Sequence, residues 1–190
     1  MGKSVYIVPD AAASVKEESN WYHLYKNRLR RLNEARVGKS PDEIAPTAAA
    51  WAEDQAEAIN ELHAGKDGVL VGHGYGAVAV LRFLERQQQE QQVGRVILVS
   101  TPIGVPPIRD AEATEAFSGG YNFDWDTIRK NTGHVSIFHA FNDPEVSVAN
   151  AAALAGQFGT VAFVPGGGGH FNTEEGIATL TTFLPIFSKG

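Results

Sequence analysis

Gly72-His73-Gly74-Tyr75-Gly76 has the frame of a nucleophile elbow, the sharp strand-to-helix turn written G-x-S-x-G, with glycine where the serine would stand. Two downstream residues could complete such a site. Asp143 lies in Asn142-Asp143-Pro144, and His170 follows the glycine run 166–169. A carboxylate that orients an imidazole, and an imidazole that moves protons, are the supporting members of a nucleophilic triad. Elbow, then acid, then histidine is one of the chain orders in which triads occur. Other chemistries find less support. The chain has no cysteine, and its histidines lack metal-ligand spacing, so no metal or other cofactor is expected. No Walker lysine follows the glycine run, which therefore reads as a flexible loop positioning His170 rather than a phosphate cradle.

These residues need a scaffold that brings three distant loops together. Val5–Val8, Val69–Val71, Val96–Ser100, Val135–Ala140 and Thr160–Val164 are short apolar runs that read as strands. Segments with helical spacing alternate with them: 21–32 with Asn20 as N-cap, 46–62, 77–91, 124–130, 148–158 and 173–187. A short edge strand fits within 35–46, and 65–68 reads as a turn. The alternation predicts an α/β domain, a mostly parallel sheet with helices on both faces. Ligands of such sheets bind beyond the carboxyl ends of the strands. The loops carrying Asp10, Gly74, Asp143 and His170 all fall there. Residues 101–123, with Pro102, Pro106, Pro107 and Gly119-Gly120, read as a long loop that caps a pocket.

Composition narrows the partners. The 190 residues suit one domain, and a net charge of −6 gives no electrostatic support for nucleic-acid binding. No apolar run is long enough to span a membrane, and the start passes directly into a strand, so a cytosolic protein without a leader peptide is expected. The expected partner is a small molecule.

The motifs together resemble the small serine hydrolases typified by retinoblastoma-binding protein 9, which are minimal α/β-hydrolases. The resemblance runs over nearly the whole chain: Val5-Tyr6-Ile7-Val8-Pro9, Trp21-Tyr22, Trp51, Gly72-His73, Gly76-Ala77, Val96–Ser100, Asn142-Asp143-Pro144 and Gly169-His170-Phe171. It implies the acid role for Asp143 and the base role for His170. The nucleophile position falls on Gly74. The backbone N–H of Tyr75 takes the place of one oxyanion donor, and the Asp10-Ala11 turn should supply the second. Asp10 departs from the family, which usually has glycine after the proline. Its carboxylate either opposes a developing oxyanion or points away. His139 stands where the family tends to have a small residue. It either packs at the strand end or lines the pocket, and Trp125, after the long loop, either packs in the core or cap or faces the pocket. His73 is expected to pack behind the elbow, and His23, His63 and His134 to lie on the surface. Ser14 and Ser100 are poor substitutes for the missing serine, because neither sits on a strand-to-helix turn.

Without a side chain at Gly74, ester hydrolysis should be very weak. Three functions follow from such a site. One is a hydrolase scaffold inactivated at Gly74, by natural loss or deliberate Ser→Gly replacement. Another is a non-hydrolytic lyase, cyclase or isomerase in which the His170–Asp143 pair is a general base in a pocket enlarged by Gly74. The last is a binding module that keeps only the fold.

Overall fold

The computed structural model describes residues 4–11, 21–29, 34–39, 41, 47–62, 67–87 and 92–187. The strands are β1 (Ser4–Val8), β2 (Glu34–Val37), β3 (Val69–His73), β4 (Val93–Val99), β5 (Thr132–Phe138) and β6 (Ala162–Phe163). They form one sheet in the order β2-β1-β3-β4-β5-β6, and every neighbouring pair is parallel. The helices are α1 (Trp21–Leu29), α2 (Ala48–Leu62), α3 (Tyr75–Arg86), α4 (Ala111–Ser118), α5 (Trp125–Lys130), α6 (Ala149–Phe158) and α7 (Glu174–Phe187).

The continuous apolar runs are explained by burial on both faces of the sheet. Tyr6, Val8, Leu70, Val96 and Leu98 point into one core with Trp51 of α2, Phe83 of α3 and Leu154 of α6. Their strand neighbours Val5, Ile7, Val69, Val71, Ile97 and Val99 point to the other, with Trp21 and Tyr22 of α1 and Leu180 of α7. Each fully buried large apolar side chain contributes about 1.5–3 kcal/mol. The two cores hold the strands rigidly enough to fix the loops at their carboxyl ends.

Several elements differ from the sequence expectation. Residues 101–123 are not one long loop. They contain α4, whose Ala- and Glu-rich sequence favours a helix and whose end is capped by Gly119 at φ +77°. The flanking prolines obscure that signal. This segment is pinned by buried Asn150. Its Oδ1 accepts from the Ile103 and Val105 N–H groups at 2.8 and 3.1 Å, and its Nδ2 donates to the Val105 carbonyl at 2.7 Å. β5 begins earlier than expected and β6 is only two residues long. The proposed Asn20 cap, Ser14, His63 and residues 65 and 66 of the expected turn lie outside the described residues.

Candidate active site

The elbow joins β3 to α3. Gly76 is required by close approach: a Cβ there would lie 2.4 Å from the carbonyl oxygens of Val8 and Pro9. Gly74 has φ +51° and ψ −120°, a conformation L side chains rarely adopt. Its N–H donates to the Val99 carbonyl at 3.0 Å, which fixes the turn over the end of β4.

The position is not an empty notch. A Cβ built on Gly74 would lie 2.1 Å from Asp10 Oδ1, 2.4 Å from its Cγ and 2.9 Å from its Oδ2. The Asp10 carboxylate therefore fills the volume beside the elbow where a residue-74 side chain would begin. The expectation of a pocket enlarged by Gly74 is corrected accordingly, and Asp10 points into the site rather than away. The Tyr75 N–H, the expected oxyanion donor, donates to Asp10 Oδ1 at 2.7 Å. It is the first residue of α3, so the positive end of the helix dipole also favours the carboxylate charge.

His170 stands between two carboxylates. Its Nδ1 is 2.9 Å from Asp143 Oδ2, and its Nε2 is 3.4 Å from Asp10 Oδ2. Burial opposes charge on this imidazole, but Asp10 and Asp143 outweigh burial and raise its pKa to about 10. Burial would raise both carboxyls, yet the His170 bond and charge, with backbone N–H groups, hold Asp10 and Asp143 below the ordinary carboxylate value. The resting unit is a carboxylate–imidazolium–carboxylate chain. Asp143 Oδ1 also accepts from the Glu145 and Val146 N–H groups at 2.9 and 3.0 Å, so the acid loop folds around its own carboxylate.

A second polar chain runs behind the elbow. The Asp10 N–H donates to the Tyr22 hydroxyl at 3.0 Å, and that hydroxyl lies 2.6 Å from His73 Nδ1. His73 Nε2 lies 2.8 Å from the His170 carbonyl oxygen, which can only accept. Burial and the His170 charge push His73 down to about 4, so it is neutral at pH 7. One tautomer fits: Nε2–H donates to His170, and Nδ1 accepts the Tyr22 proton. His73 thus packs behind the elbow, its ring 4.9 Å from that of His170. The sequence gives Tyr22 no mark as a site residue, because it is indistinguishable there from the other aromatic core residues of α1.

A pocket of about 260 Å³ opens beside these groups, lined by Asp10, Ala11, Gly74, Tyr75 and His170. Pro102, Ile108, Arg109 and Thr114 from segment 101–123 close one side. Asp143 lies behind His170 and does not line the pocket. Two pocket candidates fall elsewhere. His139 is buried behind the acid loop, donating Nε2–H to the Val146 carbonyl at 2.8 Å. Trp125 packs on Phe123 and Phe158, with ring centroids 5.0 and 6.0 Å away. Ser100 is fully buried at the end of β4 and cannot serve as a nucleophile. Among the described residues, no group of His, Cys, Asp or Glu could hold a metal ion, and no helix is long and apolar enough to cross a membrane.

A parallel sheet with helices on both faces, an elbow after β3, and an acid and a histidine on later strand-end loops define an α/β-hydrolase. Within that class the chain belongs to the serine hydrolase family, whose model matches residues 5–188. It is 29% identical over 190 residues to YdeN of Bacillus subtilis (strain 168), covering 100% of this chain and 96% of that protein. The crystal structure of the B. subtilis ydeN gene product matches with a TM-score of 0.80 at 27% identity, covering 98% of this chain and 100% of that one. Serine hydrolase RBBP9 of Rattus norvegicus is 24% identical, over 89% of this chain and 87% of that protein. Est1E of Butyrivibrio proteoclasticus, solved with ferulic acid bound, shares the fold at a TM-score of 0.70 and 13% identity, covering 96% of this chain and 86% of that one.

Proposed function

We propose that this member of the serine hydrolase family has lost serine-type ester and amide hydrolysis. It keeps the site as an Asp10–His170–Asp143 unit acting on a small molecule at the strand ends. The observation that carries the reading is the fit of Asp10 into the place beside Gly74: a carboxylate and a glycine that only work together. Such a fit favours a paired change at residues 10 and 74 over an isolated loss of serine. The reading needs no cofactor. The acidic net charge argues against a nucleic-acid partner, and the cytosol is the working compartment in this proposal.

The general-base reading is less well supported. An imidazole flanked by two carboxylates is protonated at neutral pH, so it can donate a proton but not take one. The test is hydrolysis of p-nitrophenyl acetate. The wild-type chain should show no turnover beyond His170→Ala, and Gly74→Ser alone should not create it. Turnover by the wild-type chain that depends on His170 would overturn the proposal.

A further inference from the structure

The Asp10 carboxylate has the supports a covalent nucleophile needs, and its chemistry selects the substrate. At an acyl carbon it would be ineffective. Attack there gives a tetrahedral adduct that returns to starting materials, because carboxylate leaves far more readily than alkoxide. At a saturated carbon the balance differs, since displacement is a single step with no adduct to collapse backwards.

The geometry also limits the leaving group. In a displacement it departs from the face opposite the attacking oxygen. His170 Nε2 lies on the attacking side, 3.4 Å from Asp10 Oδ2. It cannot protonate a group leaving from the far side, and a group that departs as a stable anion needs no such proton. The pocket volume of about 260 Å³ falls below the usual 300–1,000 Å³ range for ligand sites, which limits the substrate to a small molecule.

We propose that Asp10 is a covalent nucleophile that displaces halide from the saturated carbon of a small alkyl halide, through an Asp10 ester that His170 then hydrolyses. This rests on the preceding reading, that serine chemistry has been replaced at this site. In the first step Asp10 Oδ2 forms a bond to carbon while the carbon–halogen bond breaks, and its electron pair leaves with the halide. Oδ1 becomes the ester carbonyl oxygen and stays on the Tyr75 N–H, 2.7 Å away. The ester carries no charge, so His170 loses the neighbour that most favours its proton and releases it to solvent. Neutral His170, held by Asp143, takes a proton from water as its oxygen adds to Asp10 Cγ. The Tyr75 N–H stabilises the resulting oxyanion. Collapse expels the alkoxide, which receives a proton from His170, and the released carboxylic acid returns its proton to His170. The sum is alkyl halide plus water giving alcohol, halide and one proton.

The experiment uses the full chain with 1-bromopropane and bromoacetate as separate probes. In His170→Gln the second step is blocked. Mass spectrometry should find the alkyl group on the peptide containing Asp10, and Asp10→Asn should lack the adduct. In the wild-type chain, a single turnover in ¹⁸O-water should place ¹⁸O in the Asp10 carboxylate and leave the alcohol unlabelled. Bromide release should fall by about 10³-fold or more in Asp10→Asn. Absence of an Asp10 adduct with both probes, together with no ¹⁸O in Asp10, overturns the inference. That result would leave the loss of serine chemistry standing, because the ester assay with Gly74→Ser reads that separately.

Discussion

Restoring serine chemistry should require two substitutions, and each alone should fail for a different reason. Gly74→Ser places a Cβ 2.1 Å from Asp10 Oδ1, where real contacts exceed 3 Å. It also puts an L side chain at φ +51°, a strain of about 1–3 kcal/mol by itself. Displacing the carboxylate breaks its bonds to the Tyr75 N–H and His170 and adds about 1–3 kcal/mol. Asp10→Gly alone loses the same bonds and leaves no nucleophile. In the double variant the clash is gone, the Tyr75 N–H can serve an oxyanion, and His170 faces the introduced hydroxyl with only Asp143 as partner. The two stability changes should therefore couple by about 2–3 kcal/mol, measured by urea unfolding of the four proteins. Only the double variant should hydrolyse p-nitrophenyl acetate in a His170-dependent manner. Additivity within about 0.5 kcal/mol, or ester turnover by Gly74→Ser alone, would refute the argument that residues 10 and 74 share one space.

Stability should peak near pH 6.5. Between about 4 and 6.5 an unfolded chain protonates His73 while the folded one keeps it neutral, so stability rises with pH there. Above 6.5 the folded chain holds the His170 proton that the unfolded chain releases, so stability falls as pH climbs toward 10. Urea midpoints across pH 5–9 check both slopes, and a flat profile contradicts them. Tyr22→Phe removes the donor to His73 Nδ1 and the acceptor for the Asp10 N–H; it should cost about 1–3 kcal/mol by urea unfolding. Asn150→Ala should cost a similar ~1–3 kcal/mol. It should also speed amide exchange at Ile103 and Val105, whose N–H groups lose their acceptor.

Much of the fold is legible in the chain because its signals are local. The apolar runs of β1, β3 and β4 mark buried parallel strands, and the glycine frame around residue 74 marks a turn where α3 crowds β1. Asp143 and His170 are legible as a pair from their loops and order, and they meet at 2.9 Å. Helix α4 is missed because prolines on its N-terminal side and glycines after it outweigh its eight helical residues. His139 and Trp125 stay open in the sequence between packing and pocket lining, because strand-end and helix-start positions do not reveal which way a side chain turns; the structure packs both.

The sequence alone determined the sheet, the elbow without its serine, and the acid and histidine that follow it. Those features depend on period, turn chemistry and chain order, which neighbouring residues carry. What fills the serine's place was decided only in three dimensions. Asp10 and Tyr75 are 65 residues apart, and His170 lies still further along the chain. Whether the Asp10 carboxylate turns outward or into the elbow depends on Tyr22 holding its backbone and on the Tyr75 N–H and His170 drawing in its charge. No local pattern encodes that balance, because each partner comes from a distant part of the chain: Tyr22 from α1, Tyr75 from the start of α3 and His170 from the loop before α7.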